Sequence, residues 1–122
     1  MTTVIVTNNE IVLQQAPYPC ISVCGDTEDV LVKVRDLIHT GYRLLSYPLG
    51  ASIKMLHSPV TSVLLSENSG PMDPESVEIL ERSVEMLHAT LGERKPEERH
   101  RKDYEIVDWH RLQAAMSELN RF

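Results

Sequence analysis

The chain predicts a small α/β domain of three layers, doubly wound, with a mostly parallel sheet of about five strands and one antiparallel pairing. Three observations carry this expectation. Short, β-branched apolar runs alternate with longer stretches of helical periodicity, the pattern of strand–helix units that build parallel sheets. The helical stretches open on capping residues and close on glycine. The length of 122 residues suits one domain and one core, so the whole chain, 1–122, is read as a single unit.

The elements follow in order. Val4-Ile5-Val6 is a β-branched run ending in the polar turn Thr7-Asn8-Asn9, as expected of a strand buried on both faces. Glu10 to Gln15 has room for one or two helical turns before Pro17 and Pro19. Cys20 to Cys24 reads as a second strand closed by Gly25. Asp26 or Thr27 then caps a helix whose Val30, Leu31, Val34, Leu37 and Ile38 share one face, with Gly41 placed to end it. Tyr42 to Tyr47 and Val60 to Ser66 read as third and fourth strands. The stretch between them is short for a parallel crossover, so these two are expected to pair antiparallel. Asp73 caps a second long helix with Pro74 at its first position, and Val77, Leu80, Val84, Leu87 and Leu91 form its stripe up to Gly92. Glu93 to Asp103 reads as a charged, exposed connector. Tyr104 to Val107 reads as a last strand, and Asp108 as the cap of a final helix facing inward through Trp109, Leu112, Met116 and Leu119.

Composition narrows the function classes. A formal charge of −6 opposes general nucleic-acid binding, which needs a concentrated positive surface. No apolar run approaches the roughly 18–20 residues that cross a bilayer. Met1 to Thr7 lacks a basic n-region, so a cytoplasmic protein without membrane contact is expected. Cys20 and Cys24 on one extended strand would stand roughly 13 Å apart. A disulfide needs Cα atoms within about 7 Å, so two buried free thiols are expected.

A more specific pattern lies in Thr7-Asn8-Asn9 after the first strand and in Val34-Arg35-Asp36-Leu37-Ile38-His39 ending at Gly41. The block Leu44-Leu45-Ser46-Tyr47-Pro48-Leu49-Gly50-Ala51-Ser52-Ile53-Lys54 follows, with Ser58-Pro59 before the next strand. With these motifs the chain resembles the GrdX family, small proteins encoded near the glycine, sarcosine or betaine reductase genes of amino-acid-fermenting anaerobes. The resemblance spans the chain from the first strand to the terminal helix. It implies a bacterial cytoplasmic protein linked to that reductase system, with a reductase component as a partner. It supplies no catalytic residues, because the family is named for its genetic neighbourhood. One departure is that no proline follows Lys54 directly.

Ligands of open α/β sheets bind beyond the carboxyl ends of the strands. Three segments sit at such ends: Thr7, Asn8 and Asn9; Gly25, Asp26 and Thr27; and the loop carrying Gly50, Ser52 and Lys54, with His57 near its end. Together they would offer amides, a helix N-terminus, hydroxyls and one lysine to a small anion. Ordinary turn chemistry explains the same residue types, and an Asp26 cap would compete for the helix amides. No glycine-rich nucleotide fingerprint, Walker lysine, zinc spacing among the histidines or G-x-S-x-G elbow is present, so neither metal nor cofactor is expected. Capping accounts for Asp26 and Asp73 better than acid–base roles do. The chain thus reads first as a binding or accessory module. A small enzyme acting on a carboxylate- or phosphate-bearing metabolite at the same rim is the alternative. A purely structural interaction protein, using the apolar Asp73 to Leu91 helix, is the third reading. Homo-oligomerisation stays open.

Overall fold

The computed structural model describes residues 2–49, 57–92 and 94–119. Along them run β1 (Thr2–Thr7), α1 (Glu10–Gln15), β2 (Cys20–Ser22), α2 (Thr27–His39), β3 (Arg43–Leu44), β4 (Ser62–Glu67), α3 (Pro74–Leu91) and α4 (Arg101–Leu119). The sheet order is β2-β1-β4-β3. Of its pairings, β1–β2 is parallel, with Ile5 opposite Cys20, while β1–β4 is antiparallel, with Ile5 opposite Leu64. β3 joins β4 antiparallel through Arg43–Ser66 and Leu44–Leu65.

Side chains alternate across a strand, so the central pair feeds both faces. Val4, Val6, Val63 and Leu65 enter a core with Val30, Leu31, Val34 and Ile38 of α2 and Leu80, Leu87 and Leu91 of α3. Ile5 and Leu64 point the other way, against Val12 of α1 and Leu112 and Met116 of α4. Each such side chain, fully buried, contributes about 1.5–3 kcal/mol.

The helix ends form as their residues dictate. Asp26 and Asp29 build a reciprocal capping box at the start of α2, and Asp73 caps α3 ahead of Pro74. At the end of α2, Tyr42 N–H donates to Leu37 C=O and Gly41 N–H to Ile38 C=O, the paired bonds of a Schellman motif. Gly41 takes φ +111°, and a Cβ there would stand 2.8 Å from Gly70 N. Both facts restrict the position to glycine.

The expected doubly wound domain, with its mostly parallel five-stranded sheet, is corrected. Among the described residues the sheet has four strands, and two of its three pairings are antiparallel. Two physical causes account for this. Tyr104 to Val107 is not a strand but the first part of α4. The buried stripe of that helix is Glu105, Asp108, Leu112 and Met116, and its first two members are charged. Ile106 and Val107, which look like a strand, are half exposed. Asp108 is therefore inside the helix rather than its cap. The second cause is strand rank. Val63-Leu64-Leu65 is buried on both faces and takes a central place beside β1, whereas β3 has two ladder residues and an exposed Arg43, as suits an edge.

The antiparallel β3–β4 pairing forms as expected, although β3 is much shorter than Tyr42 to Tyr47. Leu45 N–H still donates to Leu64 C=O at 2.8 Å, after which the Ser46 hydroxyl replaces a backbone acceptor for Leu64 N–H at 2.9 Å. Cys20 and Cys24 are both free thiols, but the expectation that both are buried is corrected: β2 ends at Ser22, and Cys24 lies exposed. In the charged segment, 94–97 has no regular structure, Glu98–His100 is one 3₁₀ turn, and Arg101 already belongs to α4.

Candidate functional site

Two successive antiparallel pairings restore direction, so β3 runs with β1 and β2. The carboxyl ends of all three and the beginning of β4 therefore share one end of the sheet. Asn8 ties that end together. Its Nδ2 donates to Gly25 C=O at 2.9 Å and to Pro59 C=O at 2.8 Å, and its Oδ1 accepts Thr61 N–H at 3.0 Å. Thr27 Oγ1 donates to Ser58 C=O at 2.8 Å, and Thr61 Oγ1 to Pro48 C=O at 2.8 Å. The Thr7–Asn9 turn, the Gly25–Thr27 turn and the segment 58–61 thus meet, with the chain at Pro48 beside them. Gly50, Ser52 and Lys54 lie outside the described residues. His57 is half-buried, and its carbonyl accepts Glu97 N–H at 2.9 Å.

The start of α2 is occupied by its own cap. Asp26 Oδ1 accepts Glu28 N–H at 3.0 Å and Asp29 N–H at 3.3 Å, while Asp29 Oδ2 accepts Asp26 N–H at 2.9 Å. Partial burial raises the Asp26 pKa above the ordinary aspartate value, and the nearby Asp29 adds to the rise against the two backbone hydrogen bonds. Gly25 is required here: at φ +123° a Cβ would stand 2.0 Å from Asp29 Oδ2. These amides already face a carboxylate, so positive character at the rim must come from side chains.

Those side chains come from α4. Arg101 Nη2 donates to Asn8 C=O at 3.3 Å, and its Nη1 pairs with Glu98 at 3.0 Å. Arg111 Nη2 donates to Thr61 Oγ1 at 3.0 Å, Ser62 C=O at 3.1 Å and Asp108 Oδ1 at 3.0 Å, and Nη1 to Tyr47 C=O at 3.2 Å. Arg111 Nε is buried with no acceptor among the described residues.

Beneath the arginines lies a closed polar cluster. Asp108 has 0% exposure, and its Oδ2 accepts Ser62 Oγ–H at 2.6 Å and Asn9 Nδ2–H at 3.0 Å. The Ser62 proton being committed to Asp108, Thr7 must donate to Ser62 Oγ, 2.7 Å away, while Thr7 Oγ1 accepts Asn9 N–H at 2.9 Å. Asn9 also donates to Glu105 C=O at 2.9 Å and caps α1 by accepting Ile11 N–H at 3.0 Å. Every proton in this chain has one direction, and its members are out of reach of solvent. Thr7 and Asn9, two of the sequence-predicted site residues, therefore join the end of the sheet to α4.

Sequence reasoning missed Thr61, Ser62, Arg101, Asp108 and Arg111. A signal was present in the spacing: Arg101, Glu105, Asp108 and Arg111 recur at intervals of three or four, a polar helical stripe continuous with Leu112. Among the described residues no cluster of His, Cys, Asp and Glu could hold a metal ion, and no helix is long and apolar enough to cross a membrane. The model of the GrdX-like protein family matches residues 4–117, a span that takes in every described rim residue. No curated protein and no solved structure matches the chain.

Proposed function

The chain belongs to the GrdX-like protein family, and from that premise we propose that it is an accessory or binding protein of glycine, sarcosine or betaine reductase metabolism that holds a small anion at the carboxyl end of its sheet. The observation that supports this reading is the placement of two α4 arginines on that end, Arg101 over the Asn8 carbonyl and Arg111 over Thr61 and Ser62. Arg111 is anchored by a buried carboxylate and acts as a fixed wall. Arg101 is paired with the exposed Glu98, a partner that an incoming anion can replace at low cost. The Asp26 cap turns the α2 terminus away from this role, and Lys54 is the further cation that the proposal assigns to the ligand. The enzyme reading is less favoured: the Thr7 and Ser62 hydroxyls and the Asp108 carboxylate are sealed under the rim and directed at one another.

A thermal-shift series with glycine, sarcosine, betaine, acetate and inorganic phosphate tests the proposal. A ligand at about 100 times its Kd stabilises by about 2.7 kcal/mol, a rise of several degrees in Tm. Arg101→Ala and Lys54→Ala are each expected to abolish that rise and leave the unliganded Tm nearly unchanged. If none of the five moves the Tm at about 100 times a millimolar Kd, the small-anion reading fails. Co-purification of the purified chain with reductase components tests the metabolic link separately.

A further inference from the structure

A groove of about 860 Å³ runs between the end of β3, α3 and α4, within the range of small-molecule sites. Leu45, Tyr47 and Met86, which are 37%, 73% and 53% exposed, meet there, and Ala115 and Leu119 close the α4 side. Large apolar side chains left open together mark a surface that something covers. The polar groups on the wall state what kind of head group fits. Arg111 lines the groove, and its Nη1 has a second N–H beyond the one given to Tyr47 C=O. The Ser46 hydroxyl accepts Leu64 N–H, which leaves its proton to donate. Both are donors and call for an acceptor oxygen. Arg111 is the one cation among the described lining residues, and Asp108 already pairs with it, so a second negative charge is disfavoured.

We infer that this groove binds a small amphiphile with a hydrocarbon body and a single carboxylate head, the head at Arg111 and Ser46 and the body along Leu45, Met86 and Leu119. The inference goes beyond the small-anion reading: Arg111 borders both sites, but Leu45, Ser46 and Met86 take no part in the rim.

The probe is octanoate, followed by amide NMR shifts of the full chain, with octylammonium and the eight-carbon dicarboxylate suberate alongside. Octanoate is expected to saturate shifts at Leu45, Met86 and Ala115. Suberate and octylammonium should each bind about tenfold more weakly, because one adds a second charge that no described cation of the groove meets and the other presents a cation to Arg111. Met86→Glu, at a half-exposed helix position that folding tolerates, should weaken octanoate by about tenfold or more. Arg101→Ala should leave octanoate binding unchanged, which separates this groove from the rim. Shifts that do not saturate, equal binding of all three probes, or an unchanged affinity in Met86→Glu would each overturn the inference.

Discussion

Replacing Asp108 with alanine removes the acceptor of three hydrogen bonds at a position with no exposed surface: Ser62 Oγ at 2.6 Å, Asn9 Nδ2 at 3.0 Å and Arg111 Nη2 at 3.0 Å. The alanine leaves a largely buried guanidinium without its counter-charge, the Ser62 hydroxyl without its acceptor, and Asn9 Nδ2 with only its bond to Glu105 C=O. Breaking one side of a buried ion pair costs about 3–5 kcal/mol. Bond by bond the range is similar, since a hydrogen bond to a charged group contributes about 1.5–3 kcal/mol. Against a total stability of about 5–15 kcal/mol this is a large fraction. The Tm should fall by about 10–20 °C. Urea denaturation with a common m-value measures the loss directly. The double variant Asp108→Ala/Arg111→Met should recover about 1–3 kcal/mol relative to additivity, because it removes both charges together. A loss under about 1 kcal/mol for Asp108→Ala, or strict additivity of the pair, would refute the view that this cluster joins α4 to the sheet.

Gly41→Ala should destabilise by about 1–3 kcal/mol, since the position needs positive φ and a Cβ would press on the Gly70 backbone; urea midpoints report it. Asp73 has its pKa lowered, chiefly by the Ser76 hydroxyl hydrogen bond. Its contribution is therefore present above the unfolded-state pKa and lost as pH falls through the lower folded value, so Asp73→Asn should flatten the acid limb of the stability–pH curve. Cys24 is exposed, whereas burial pushes the Cys20 thiol pKa up. A thiol-reactive chromophore should accordingly titrate two phases, and Cys24→Ser should delete the fast one; a single phase would contradict the assignment.

How much of this was legible in the residues alone depends on range. Capping and stop signals are local, so α2 and α3 were readable with their ends: Asp26 and Asp73 need only the amides two or three residues on, and Gly41 needs only its own φ. The family membership was readable too, through the stretches around Asn8 and Lys54. Strand order was not. Val63-Leu64-Leu65 says that its strand is buried on both faces, but a central place beside β1 or elsewhere satisfies that equally, and only the competition among strands puts it next to Val4-Ile5-Val6. The rim shows the same division. Thr7, Asn8 and Asn9 were identifiable as the end of a strand, because a polar turn after an apolar run is a local pattern. Their partners, Pro59, Thr61, Ser62, Glu105 and Asp108, lie 51 to 99 residues away. α4 concealed that connection, since its inward stripe begins with Glu105 and Asp108 and hydrophobic periodicity cannot see a buried face made of carboxylates. Such a face becomes stable only when Asn9, Ser62 and Arg111 arrive to satisfy it, and that arrival is a property of the folded chain alone.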